Sequence, residues 1–172
     1  MIKSILILGS LLSASAMACP QLAGEYFNCT SGDPTTDDIL DVPSSLVITQ
    51  KVVAGKMTYK YVTVNQYGEE ETEITTADGP ARKWSEDVGE FPGVIHFTAK
   101  ATCNENVLKS SVKGELEMDD TFSEEERRAF EEMLGGFLNL KSDTFIEGSE
   151  YVERIAFEAT PGETFEFRCS KK

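Results

Sequence analysis

The chain's single histidine and its four cysteines hold most of the reactive chemistry it could carry. A serine or cysteine hydrolase needs a base beside its nucleophile, usually a histidine. Only His96 is on offer, and strand alternation puts it on a polar face beside Thr98, with no G-x-S-x-G motif in the chain. No catalytic residue is assigned, and the protein is read as non-enzymatic. Acids are abundant, but Glu69 to Glu71, Asp119-Asp120 and Glu124 to Glu126 look like turn and helix-start residues. No two stand out with the opposed environments that glycoside hydrolysis requires. The segment Asp33 to Asp38 spaces its acids like a calcium loop, yet an EF-hand needs Gly where Asp38 stands and Glu where Ser44 stands. No two cysteines lie at metal-ligand spacing, so no metal site and no cofactor are expected.

Cys19, Cys29, Cys103 and Cys169 are read instead as two disulfides, because the N-terminus reads as an export signal. Lys3 is followed by the apolar run Ile5 to Leu8 with Leu11-Leu12, and the small-residue triplet Ala16-Met17-Ala18 fits a cleavage site, giving a signal peptide over 1–18. The run is too short to span a bilayer, so no transmembrane segment is expected. The destination is periplasmic or extracellular. A lipoprotein anchored through Cys19 is the alternative, although Ala16 and Met17 do not match the pattern that lipid attachment prefers. The whole chain carries 16 basic and 30 acidic residues, a formal net charge of −14. Such a surface repels phosphate backbones, which argues against a nucleic-acid partner.

The elements that must position these residues are mainly strands, in one domain over 19–172. The clearest is Val94 to Cys103, where Ile95, Phe97, Ala99, Ala101 and Cys103 alternate with His96, Thr98, Lys100 and Thr102. The run through Leu108 to Met118 repeats the pattern after the polar loop Asn104-Glu105-Asn106. Further strands are expected over Leu22 to Cys29, Ser45 to Val52, Lys56 to Asn65, Glu70 to Thr76, Ala81 to Ser85, Thr144 to Glu147, Glu150 to Thr160 and Thr164 to Ser170. Glycines and prolines separate them, as in an antiparallel barrel or, alternatively, a β-sandwich. Trp84 reads as a wall residue of such a barrel. The acidic stretch Asp33 to Asp41 is the longest irregular segment.

One stretch, Ser123 to about Leu138, has helical rather than strand periodicity. Ser123 and Glu126 form a capping box, and Phe130, Met133, Leu134 and Phe137 make an amphipathic stripe. Gly135-Gly136 is a place for the helix to stop, with Phe137 then in the following loop. The stripe is a candidate cover for a cavity.

Leu22-Ala23-Gly24-Glu25-Tyr26 resembles the opening strand of lipocalin-like (calycin-type) barrels, with Tyr26 where those proteins carry Trp. The resemblance implies a closed antiparallel barrel with one helix before its closing strands and a cavity for a small apolar ligand. It also implies a basic residue packed over the aromatic ring, for which Arg168 or Arg154 could serve. Small residues at Ala99, Ala101, Ser110 and Gly114 would leave room inside. A filled barrel acting as a protein-interaction or inhibitor module is the second reading. If the first strand pairs with the last, Cys19 is expected to join Cys169 and Cys29 to join Cys103.

Overall fold

The computed structural model describes residues 19–31, 42–87, 93–118 and 122–172, in residues 131–137 the backbone only. The leader over 1–18 and the acidic segment Asp33 to Asp41 lie outside these residues. Ten strands run in chain order: β1 (Gly24–Thr30), β2 (Ser45–Val53), β3 (Lys56–Val64), β4 (Glu70–Thr76), β5 (Arg82–Asp87), β6 (Gly93–Asn104), β7 (Val107–Met118), β8 (Leu140–Glu147), β9 (Glu150–Phe157) and β10 (Phe165–Lys171). Helix α1 (Glu124–Leu138) lies between β7 and β8.

All strands join one antiparallel sheet in the order β4-β3-β2-β1-β10-β9-β8-β7-β6-β5. The first strand pairs with the last, and the free edges belong to β4 and β5. This is an antiparallel barrel curled to a half-open form, not a sandwich, because one continuous ladder links every strand but that pair. A meander sends alternate turns to opposite ends. One end holds the β2–β3, β4–β5, β6–β7 and β8–β9 turns, and the other holds the β3–β4 and β9–β10 turns together with α1.

The first end is plugged. Residues 19–23 run across it, with Cys19 and Leu22 buried in the core beside Tyr26, Ile48, Tyr59 and Ala77. Buried backbone carbonyls need donors, and two tyrosines supply them. The Tyr26 hydroxyl donates to Leu22 O at 2.7 Å, and that of Tyr59 donates to Pro20 O at 2.9 Å. Gln50 Oε1 accepts from the Ala23 amide at 2.9 Å. Burial raises the pKa of both tyrosines, to about 12 for Tyr59, so both remain donors at physiological pH.

The disulfide pairing differs from expectation: Cys19 joins Cys103 and Cys29 joins Cys169. Tyr26 pairs with Lys171 and Thr30 with Arg168, the register slipping at a bulge between Phe27 and Thr30 where Asn28 takes a φ of 51°. Cys169 therefore stands opposite the end of β1, not its start. Cys19, five residues ahead of β1, is left to cross the plugged end and reach β6 just before the β6–β7 turn.

Helix α1 begins as its capping box requires. The Glu126 amide donates to Ser123 Oγ at 3.3 Å, and Glu126 Oε2 accepts from the Ser123 amide at 2.9 Å. The Ser123 hydroxyl, donating to Glu126 Oε2 at 2.7 Å, and the Ser123 amide together hold the Glu126 carboxyl below its usual pKa. The helix passes through Gly135-Gly136 to Leu138 instead of stopping there. Packing explains the extension: Gly114 on β7 has no side chain, and a Cβ there would lie 2.8 Å from Leu138 Cβ and 3.0 Å from the Phe97 ring. The last turn of α1 thus closes onto the sheet through a glycine. β8 correspondingly starts at Leu140, four residues earlier than its alternation indicated.

Candidate functional site

Above the plug, the curled sheet borders a partly open cavity of about 800 Å³ that runs toward the end carrying α1. Alternation dictates most of its lining, while Glu69 to Glu73 border it consecutively at the free β4 edge. Leu46 comes from β2, Tyr61 and Thr63 from β3, Glu71, Glu73 and Thr75 from β4, and Arg82 from β5. Ser110 and Val112 (β7), Leu140, Ser142 and Thr144 (β8), Tyr151, Glu153 and Ile155 (β9) and Phe167 (β10) also line it, together with Pro43, Asn65, Glu69, Glu70 and Thr72. Apolar and hydroxyl-bearing side chains are interleaved, so the cavity is amphipathic.

Its polar centre is Glu153. The Tyr151 hydroxyl donates to Glu153 Oε2 at 2.8 Å, and Ser142 also hydrogen-bonds this carboxylate. Burial raises the Glu153 pKa above the ordinary 4.5, the Tyr151 and Ser142 bonds oppose the rise, and the nearby Glu73 charge adds to it. Burial together with the Glu153 charge raises Tyr61 and Tyr151 well above the ordinary tyrosine value. Among the described residues no cation lies against Glu153. The nearest basic group in the lining, Arg82, is held 3.0 Å from Glu73 Oε1. That ion pair bridges the seam between β4 and β5, where no backbone ladder forms. A backbone bond from Asp78 N to Ala101 O at 2.8 Å supports the plugged end of the same seam.

Of the small residues expected to leave room inside, Ser110 lines the cavity. Ala101 packs in the core and Gly114 receives Leu138 and Phe97, so neither leaves a void. Phe130 is part-buried on α1, which packs against β7 and β9. The side chains of Met133, Leu134 and Phe137 lie outside the described residues. Trp84 stands on β5 between Arg82 and Glu86 and stacks on Phe97 at 5.0 Å. Its indole donates to Glu86 Oε1 at 2.7 Å, and the Arg82 guanidinium lies 4.4 Å from its ring centroid. Neither Arg168 nor Arg154 packs over Tyr26. Arg168 meets Glu147, Glu150 and Glu166 on the outer face, and Arg154 meets Glu166 and lies over Phe145. Both sit at β-strand positions out of phase with the inward residues, which is why they turn away. The basic residue opposite Tyr26 is Lys171, and Gly24 makes space for both: a Cβ there would lie 3.0 Å from Lys171 Cε and from the tyrosine ring.

His96 has more company than the sequence indicated. Ser85 Oγ lies 2.8 Å from its Nδ1, and Glu117 Oε2 lies 2.7 Å from its Nε2. This is a Ser–His–acid relay in outline, laid across β5, β6 and β7. Acyl transfer also needs preorganised donors for an oxyanion. Around His96 the β6 backbone is committed to ladders on both sides, and the His96 and Glu117 side chains are 47% and 75% exposed on the outer face. None of the three residues reaches the cavity. Among the described residues no cluster of three or more His, Cys, Asp or Glu could hold a metal ion.

The Cys19 sulfur is engaged in its bridge, whereas attachment of a lipid at that residue would require it as a thioether. Two disulfides fit an oxidising compartment. No described helix is long and apolar enough to cross a membrane.

No protein-family model matches the sequence, and no curated protein matches it. Among solved structures, the chain is similar to the REP1-NXSQ fatty acid transporter, at 8% identity and a TM-score of 0.47, over 88% of this chain and 96% of that one. It is also similar to fatty-acid-binding protein 1 of Echinococcus granulosus, at 13% identity and a TM-score of 0.44, over 88% and 96% of the two chains. The fold rests on this chain's own strand order, and likeness at this level carries no statement about ligands.

Proposed function

We propose that residues 19–172 form one exported, non-enzymatic unit that binds a small, largely apolar molecule inside its barrel. The observation that carries this reading is the cavity of about 800 Å³ above a sealed floor. Small-molecule sites fall between about 300 and 1,000 Å³ and pair an apolar wall with a few placed polar groups. Leu46, Val112, Leu140, Ile155 and Phe167 supply the wall, and Tyr61, Ser142, Tyr151 and Glu153 supply the polar groups. Export, with cleavage after Ala18, agrees with the two bridges and leaves Cys19 as the first residue. α1, at the end opposite the plug, serves as the cover, its Phe130, Met133, Leu134 and Phe137 stripe excluding water from the ligand.

Native mass spectrometry of the protein from its own host should show a co-purified small molecule. Titration with environment-sensitive fatty-acid or retinoid-like probes should show saturable binding, weakened several-fold in Phe130→Ala and Met133→Ala. The alternative, an interaction module with a filled core, is disfavoured by the cavity volume. Failure of every probe to bind would restore it.

A further inference from the structure

We propose that the polar group of the bound molecule is a hydrogen-bond donor, best a cationic amine, received by Glu153, and that chains ending in a carboxylate are rejected. The inference rests on the reading that the cavity holds a ligand, and it names the ligand's chemistry.

The argument is one of unmatched acceptors. Around Glu153 stand Tyr151 on its own strand, Ser142 and Thr144 on β8, Tyr61 on β3 and Glu73 on β4. Tyr151 and Ser142 each occupy one acceptor site of the carboxylate, leaving roughly half of its four lone-pair sites open. Among the described residues, the one guanidinium in the lining is spent on Glu73. Glu69, Glu70 and Glu71 add further negative charge along the β4 side of the cavity, and Glu69 is held there by Asn65 Nδ2 at 2.8 Å.

A ligand carboxylate placed beside Glu153 would meet like charge in a poorly solvated space, which costs more than the same contact in water. An ammonium group would instead make a charge-assisted hydrogen bond to Glu153, the stronger kind. The Tyr61 hydroxyl, which has no hydrogen-bond partner among the described residues and faces the same space, can accept a second N–H. The apolar wall then takes the tail.

The test compares three probes with one twelve-carbon chain, dodecylamine, dodecanol and dodecanoate, in competition against a cavity-bound fluorophore. The intact disulfide-bonded protein is used, with its thermal midpoint and near-UV circular dichroism checked for each variant. At about pH 8 dodecylamine is expected to bind at least tenfold more tightly than dodecanoate, with dodecanol between them. In Glu153→Gln the preference for amine over alcohol should disappear. A second measurement needs no variant: dodecylamine affinity in the wild type should rise as pH increases from the ordinary carboxyl value of 4.5 upward, because the Glu153 pKa is raised above that value, while dodecanol affinity should not. Dodecanoate binding as tightly as dodecylamine, or a dodecylamine affinity indifferent to pH, would overturn the inference and leave the ligand-binding reading standing. Binding of none of the three would overturn both.

Discussion

Arg82 on β5 and Glu73 on β4 meet at 3.0 Å across the seam where the sheet leaves two edges unpaired. The two side chains are 45% and 55% exposed, so solvent screens their attraction and the pair contributes little to stability. Its position matters more than its strength. Arg82→Ala should lower stability by no more than about 1 kcal/mol, yet speed the release of a bound probe by loosening the seam. Urea denaturation and stopped-flow dissociation would show the two effects separately, and an unchanged release rate would deny the seam a role in access.

Glu153 makes stability depend on pH in a direction opposite to that of an ordinary paired carboxylate. Its pKa is raised in the folded state, chiefly by burial, so the proton is held more tightly folded than unfolded. Its favourable contribution is complete below the unfolded value near 4.5 and is lost as pH rises through the folded value. Glu153→Gln should therefore stabilise the protein at about pH 8 relative to wild type, with the gain shrinking toward about pH 4. Denaturant midpoints at the two pH values would check this, and a variant destabilised equally at both would contradict it.

Gly114 admits the last turn of α1 to the sheet. Gly114→Val should force Leu138 and Phe97 apart, at a cost of about 1 to 3 kcal/mol typical of overpacking. Hydrogen exchange should quicken specifically in α1 and the start of β8. An unaltered exchange pattern would mean that the helix does not depend on this contact.

The bridges should appear as Cys19–Cys103 and Cys29–Cys169 in peptide maps made without reduction. Each closes a long loop, of sequence separation 84 and 140, for which chain-entropy reasoning gives roughly 4 to 5 kcal/mol, commonly less in practice. Replacing Cys19 and Cys103 together by Ala should lower the thermal midpoint strongly. A midpoint shift of only a degree or two would show that the plug holds without its staple.

The strands were readable because each has one wet and one buried side, and period-two alternation records that division directly. Ten were expected and ten are present among the described residues, and the capping box at Ser123 marked the start of α1 to the residue. The bridges were not readable because they depend on register. The register that sets Lys171 opposite Tyr26 and Arg168 opposite Thr30 brings Cys169 to the end of β1, and nothing in residue types reports that register. The early start of β8 was hidden for a related reason, since Leu140 continues from a helix whose Gly-Gly pair looked like a stop but is held by Gly114 on another strand.

The polar centre of the cavity did leave a trace. In β9 the alternation Tyr151, Glu153, Ile155 places one acid among apolar inward positions. Among 30 acidic residues it does not stand out, because abundance masks the few carboxylates that burial makes unusual. The Ser85, His96 and Glu117 contact was invisible for a different reason: its partners come from three strands and meet only through cross-strand register.

The plugged floor has a consequence for the order in which the molecule can be completed. In a chain delivered N-terminus first, Cys19 and Cys29 emerge together, ten positions apart, long before either native partner. The first cross-link within reach is therefore a non-native one between them. The plug cannot be fastened until the end of β6 has arrived, and β1 cannot be stapled until β10 has. Cells that make this protein must keep the first two thiols reduced through most of its delivery, or afterwards exchange a premature bridge for the native pair.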